Sequence, residues 1–200
     1  MNESDPFIVA RTVDLELTDG TPVRIRPIVP SDRQQIEEGL RELSPDSRHL
    51  RFLRSIDHLT GDELSYLTDV DYSNHFAWVA QDVAADRGIG VARYARLEGD
   101  TAEAAVVVLD RYQHRGLGGI LLRLVAETAY EHGIRRFRAW VAPRNTVVMR
   151  LVEHWHLDRR LEDGTVVIDI PLPFPSVSLT ESSLYESLRE TAAGRIEPYL

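Results

Sequence analysis

Residues Gln113-His114-Arg115-Gly116-Leu117-Gly118-Gly119 stand between an apolar run, Ala104 to Leu109, and a long helical pattern, Ile120 to His132. A strand, a glycine-rich turn and a helix, in that order, make an anion site. Backbone N–H groups at a helix start lack internal partners, and the helix dipole adds positive potential there. Glycine lets the main chain approach a phosphate where a Cβ would collide. The turn reads as a holder for a pyrophosphate, with a plain strand-to-helix turn as the alternative.

Three glycine patterns compete for it. The dinucleotide fingerprint requires G-x-G-x-x-G, and glycines at 116, 118 and 119 break that spacing. A Walker loop ends in Gly-Lys, and the sequence contains no lysine; all 23 basic residues are arginine. The pattern Q/R-x-x-G-x-G/A fits at Gln113, Gly116 and Gly118.

The flanking pattern predicts a mixed α/β fold. Val13–Leu17 and Val23–Ile28 alternate around the Asp19-Gly20 turn and read as paired edge strands. Ser31 or Asp32 caps a helix that runs to Leu43 and ends at Ser44-Pro45. Apolar positions 50, 53 and 56 space a second helix over 47–56, and Thr60 with Glu63 forms a capping box for a third. Strands follow at 76–81, 88–97 and 102–109, then the glycine turn and long helix. A strand at 136–141, a helix from Pro143 to about Trp155 and a strand at 165–170 complete the series. The first half is thus largely antiparallel. Pro171, Pro173 and Pro175 predict a stiff linker, and Leu184, Tyr185 and Leu188 a short amphipathic C-terminal helix.

The apolar share of 43% suffices for one core, and a net charge of −9 argues against general nucleic-acid binding while favouring cationic acceptors. With no cysteine there is no disulfide, thiol nucleophile or cysteine-held zinc. His154-x-His156 lacks the further ligands that zinc needs, so no metal is expected. No apolar stretch is long enough to span a bilayer and Met1–Asp5 lacks a signal-peptide start, so the expectation is cytoplasmic.

The loop Gln113-x-x-Gly116-x-Gly118, the preceding Val106-Val107-Val108 and the later Asn145-x-x-x-Met149-x-Leu151 resemble the GNAT N-acyltransferase family over about 23–170. Leu43 to Phe52, Leu59-Thr60 and Val70-Asp71-Tyr72 are similar to its bacterial protein-lysine acetyltransferase branch. The resemblance implies a mostly antiparallel central sheet with two splayed strands, flanked by helices. It sets the acyltransferase domain at 21–171, an N-terminal extension with an edge strand at 1–20, and a linker and tail at 172–200.

It also implies a chemistry. Acetyl-CoA lies between the strands at 102–109 and 136–141. Main-chain groups of Val106, Val107 and Val108 pair with the pantetheine arm. The loop from Gln113 onward holds the pyrophosphate through amides of His114, Arg115, Gly116, Leu117, Gly118 and Gly119, and Asn145 meets the far side of the arm. Glu103 is the expected general base, and Asp69 and Asp71 the expected attraction for a cationic acceptor. The tyrosine that many small-molecule members use as general acid is Val152 here, and the usual Gly-Phe after that helix is His156-Leu157. Arg48, Arg51 and Arg54 share a helix face, read as solvated, and Arg135, Arg136 and Arg138 are candidates for the 3′-phosphate of CoA. The expected activity is transfer of acetyl to a protein lysine, with a small amine, or a silent acyl-CoA sensor, as alternatives. Monomer and homodimer both fit this reading.

Overall fold

The computed structural model describes residues 1–174. Eight strands form one sheet in the order β1-β2-β3-β4-β5-β6-β8-β7. They are β1 (Val13–Glu16), β2 (Pro22–Pro27), β3 (His75–Asp82), β4 (Arg87–Glu98), β5 (Thr101–Val108), β6 (Arg136–Val141), β7 (Arg159–Glu162) and β8 (Thr165–Pro171). Every neighbouring pair is antiparallel except β5 and β6. Among the described residues six α-helices accompany the sheet: α1 (Pro6–Val9), α2 (Arg33–Glu42), α3 (Pro45–Phe52), α4 (Gly61–Thr68), α5 (Leu117–Glu131) and α6 (Thr146–His154). This is the mixed, mostly antiparallel architecture that the sequence predicts.

Alternation decides which helix covers which face. Ala102 and Val108 on β5 join Trp78, Tyr94 and Phe137 in a core closed by Leu117, Leu121, Leu124 and Val125 of α5. The buried Trp78 indole donates from Nε1 to the Thr128 hydroxyl at 3.0 Å, so its one polar atom is satisfied. Glu103, Ala105 and Val107 face the other way, toward α2, α3 and α4. The Thr60–Glu63 capping box that starts α4 is present, with bonds of 3.2 and 2.8 Å.

Three local expectations differ. The α3 helix begins at Pro45, capped by the Ser44 hydroxyl, and stops where Leu53 turns left-handed. Proline is well suited to a first helical turn, so Ser44-Pro45 opens one helix as it closes another. α6 starts at Thr146, because the Asn145 side chain accepts from the Val148 amide and caps it there. Pro171 is the last residue of β8, opposite Arg136, and Leu172 is buried with its amide donating to Arg135. The Phe174 ring packs on Trp155, so residues 172–174 lie on the domain; the rest of the expected linker, from Pro175, is outside the described residues. The helix expected around Leu184, Tyr185 and Leu188 lies outside the described residues.

Candidate active site

Among the described residues the sheet has one parallel contact, and it is brief. β5 and β6 pair only at Thr101–Arg136, Ala102–Phe137 and Glu103–Arg138. Beyond Glu103, β5 stays with β4 as far as Val108, and β6 stays with β8 as far as Val141. The two strands therefore splay, and each leaves a row of main-chain groups facing a wedge. The wedge holds a cleft of about 160 Å³, lined by Ala104, Ala105 and Val106 on one side and Ala139, Trp140 and Val141 on the other. Leu50 and Arg51 of α3 close its roof, and Asn145, Leu151, Val152 and Trp155 its far side.

The glycine turn stands at the open end. His114 and Gly116 both have positive φ, 62° and 87°, which reverses the chain between the short turn at 110–112 and α5. The Gly119 and Ile120 amides donate to the Gly116 carbonyl. The amides from His114 to Gly118 have no acceptor among the described residues, so the set of free amides is one residue shorter than the expected set. An added Cβ at Gly116 or Gly119 would meet nothing within 4 Å, and at Gly118 only Val108 at 3.9 Å. Protein packing does not demand glycine at Gly118 and Gly119. The space in front of the turn is open, as close approach of a bulky anion would require.

Other expected cofactor contacts divide. Gln113 donates through Nε2 to the Val108 carbonyl at 3.0 Å, which commits that oxygen to the turn. Val107 faces the opposite side of the sheet, and the wedge is walled by Ala104, Ala105 and Val106. Asn145 reaches the wedge while capping α6, and its Nδ2 has no acceptor among the described residues. Trp155 lines the wedge too, and its Nε1 is buried with no partner among the described residues. An orphaned indole N–H beside free amides suits a ligand arm rich in amide carbonyls. Val152 is 4% exposed in a small apolar cluster with Val141, Val166 and Ile168, so no hydroxyl serves there.

Arg135, Arg136 and Arg138 are far from the turn. Arg135 precedes β6, Arg136 opens it opposite Thr101 and Arg138 lies opposite Glu103, and Thr101 is some seven residues or roughly 23 Å from the end of β5. Arg138 pairs with Asp169 at 2.8 Å, and Arg135 donates to the Tyr130 and Ile134 carbonyls. The cation at the turn is Arg115, which pairs with Asp19 at 2.6 Å and lies over the Tyr112 ring.

Glu103 is exposed on β5, opposite Ala95, and looks into a second cleft of about 190 Å³. Its neighbours there are Arg51, Arg54, Glu63, Tyr66 and Arg93. Arg93 is only 6% exposed and donates to the Tyr66 and Leu67 carbonyls at 3.3 Å, with His75 Nε2 also against its guanidinium. Burial, aided by repulsion from Arg51, pulls Arg93 down to about 10. Burial also lowers Arg51, against the opposing pull of Glu103 and Tyr66. Two guanidinium groups thus flank the carboxylate. An arginine within the otherwise apolar run of β4, between Ala92 and Tyr94, is the signal that could have marked Arg93 in advance. The helical spacing of Arg48, Arg51 and Arg54 hid the difference among them. Arg48 ties α3 to the Leu43 and Arg41 carbonyls and Arg54 pairs with Glu63, whereas Arg51 borders both clefts.

Asp69 and Asp71 line neither cleft. Asp69 pairs with Arg33 at 2.9 Å, and Asp71 accepts from the amides of Ser73, Asn74 and His75. Their charges are spent within the fold, on α2 and on the turn into β3.

The stretch Leu43–Phe52 is held above this junction. Ser44 and Ser47 donate hydroxyl hydrogen bonds to Asp110 at 2.8 Å, and the Ser44 amide adds a third at 3.0 Å. Burial pushes the Asp110 carboxyl up, but these donors outweigh it and hold its pKa below the usual range. Asp46 pairs with Arg144 just before α6, so α3 is fastened at both sides of the wedge.

A splayed strand pair under a glycine turn is one signature; the sequence comparison supplies the other. Residues 39–156 match the family model described as the acetyltransferase (GNAT) family. The chain belongs to the GNAT family. A GNAT relative from Mycolicibacterium smegmatis, Acetyltransferase Pat, is 30% identical over 89% of this chain and 54% of its own length. Acetyltransferase PA5475 of Pseudomonas aeruginosa is 37% identical over 60% of this chain and 66% of its own. The chain thus spans between half and two thirds of these curated relatives. The crystal structure of the GNAT domain of S. lividans PAT superposes with a TM-score of 0.74 at 28% identity, covering 81% of this chain and 97% of that one. The chain is accordingly similar to the bacterial protein-lysine acetyltransferase branch of the GNAT family.

Proposed function

We propose that this GNAT chain transfers an acetyl group from acetyl-CoA to the side-chain amine of a protein lysine. The observation that carries the proposal is the wedge between β5 and β6, with unpaired amides at one end and Glu103 at the other. Bound acetyl-CoA supplies the activated thioester; the chain supplies position and proton handling. The amides of His114 to Gly118 bind the diphosphate, and the free main-chain edge of Ala104 to Val106 aligns the arm. The same edge offers a fixed donor where negative charge develops on the carbonyl oxygen.

A lysine amine arrives protonated, since its ordinary pKa is about 10.4. Glu103, directly or through a water, takes that proton. Arg51 and Arg93 assist from the same cleft, because neighbouring cations disfavour the ammonium form. Val152 offers no proton to the departing thiolate, which takes one from solvent. The cleft beside Glu103 is rimmed by the exposed Tyr66 and by Arg54, so a long side chain can enter from outside. Similarity to the protein-lysine branch supports a protein acceptor over a free small amine.

The test is transfer of labelled acetyl from acetyl-CoA into folded proteins of a lysate, read by mass spectrometry, beside a panel of free amines. Label on protein lysines is expected. Turnover confined to free amines would establish the small-molecule alternative, and acetyl-CoA binding without transfer to any acceptor would establish a sensor.

A further inference from the structure

A further cavity adjoins the wedge at β5. Ala105 and Arg51 border three spaces at once: the wedge, the cleft at Glu103, and a third cavity of about 80 Å³ beneath α2. Ile36 and Leu40 of α2 form the roof of this cavity, Leu59 and Leu67 one wall, and Val91 and Val107 part of the floor. Its volume is several times the roughly 10–15 Å³ that one water needs. Water also needs polar partners there. Of its four polar lining residues, three are engaged: Asp32 with Arg26 and the Val29 amide, Gln35 with Gln81, and Arg93 with the Tyr66 and Leu67 carbonyls; Arg51 stands at the border with the other two spaces, and the rest of the lining is glycine or apolar. An apolar occupant is favoured.

Register explains how such an occupant would enter. Ala105 pairs with Arg93 across β4 and β5, on the face that looks toward α2. Its side chain is a single methyl, and it borders both the wedge and the cavity. We propose that this chamber takes the hydrocarbon end of the acyl group, so that the chain uses linear acyl-CoA substrates longer than acetyl, of three to four carbons. This rests on the acyltransferase reading above and names its donor class. The bond changes are those of acetyl transfer. A C–N bond forms as the thioester C–S bond breaks, Glu103 receives the amine proton, and the thiolate takes one from solvent.

Gly39 gives a direct test. It lies on the chamber wall, and a Cβ there would have as its nearest neighbour Leu109 Cδ2, at 4.0 Å. The first carbon of a side chain here meets only a side-chain atom at ordinary contact distance, and replacing a mid-helix glycine favours α2. Binding of CoA, acetyl-CoA, propionyl-CoA and butyryl-CoA is measured by titration calorimetry for the wild type and Gly39→Leu, with thermal melts confirming that the variant folds. The wild type should tighten about two- to fourfold per methylene beyond acetyl. The variant should keep its acetyl-CoA affinity and lose that gain. If wild-type affinity is flat or falls from acetyl to butyryl, the chamber is refuted while the acetyltransferase reading stands. A gain that persists unchanged in Gly39→Leu refutes it equally. If not even CoA binds, the donor reading falls and the chamber with it.

Discussion

Gln113 reaches back from the glycine turn to Val108, the last residue of β5, and donates to its carbonyl at 3.0 Å. One hydrogen bond thereby joins the segment with the free amides to the strand that borders the wedge. Replacing Gln113 with Leu keeps the volume and removes the donor. The turn should loosen, raising KM for acetyl-CoA about fivefold, with kcat changed less than threefold, because a net hydrogen bond contributes about 1 kcal/mol. Steady-state kinetics with varied acetyl-CoA decide this.

Gly118 separates folding from ligand binding. A Cβ added at this position would make ordinary contact with Val108 at 3.9 Å, so Gly118→Ala should melt at the same temperature or slightly higher. The methyl would stand where a diphosphate approaches the amides. Calorimetric affinity for CoA should fall by roughly tenfold or more, the weight of one or two lost contacts. A variant that binds CoA normally would show that the turn is only a connector.

Glu103 is proposed as the base, and its removal should be felt most where the acceptor is protonated. Glu103→Gln should lower kcat at pH 7 by about a hundredfold or more, with part of the loss recovered as pH approaches the acceptor's own pKa. Full kcat at pH 7 would assign the proton transfer elsewhere.

The pair Arg26–Asp32 secures the start of α2. Both side chains are buried, at 2% and 4% exposure, and the two guanidinium bonds measure 2.8 and 2.9 Å. Asp32→Ala would leave a buried guanidinium whose other carboxylate partner, Glu3, lies on the surface. Breaking such a pair costs about 3–5 kcal/mol, and the melting temperature should drop by about 10 °C or more.

Acid sensitivity should trace to His75. Burial, with the adjacent Arg93 cation, pushes its pKa down to about 4, from an ordinary 6.5. Between those values the unfolded chain binds a proton that the folded chain refuses. Stability is therefore whole above pH 6.5 and declines as pH falls toward 4. Partial solvent contact screens the effect, leaving about 1–2 kcal/mol. Urea midpoints at pH 7 and 4.5 should differ less in His75→Gln than in the wild type.

Local rules made much of the site legible. The Thr60–Glu63 box, the Asp19-Gly20 turn and the strand–glycine–helix order each depend on neighbours within a few residues. β7 escaped for the opposite reason. Arg159-Arg160-Leu161-Glu162 is exposed throughout, with Leu161 at 72%, so it has no alternation to read and exists only because β8 offers it an edge. Asp69 and Asp71 carried the right charge for an acceptor site, yet their partners, Arg33 and a turn's own amides, hold them out of the clefts. Arg51 showed the reverse: its spacing looked like that of a solvated face, and packing of α3 over β5 turned it inward.

By itself the sequence determined the kinds and order of the elements and the chemistry of the turn, since hydrophobic period, capping and glycine conformation act over short distances. Only the tertiary structure decided where β5 and β6 part, which side chains meet at Glu103, and that a cavity lies beneath α2 beside Ala105. Those depend on register and helix placement between residues far apart in the chain, and no local pattern encodes them.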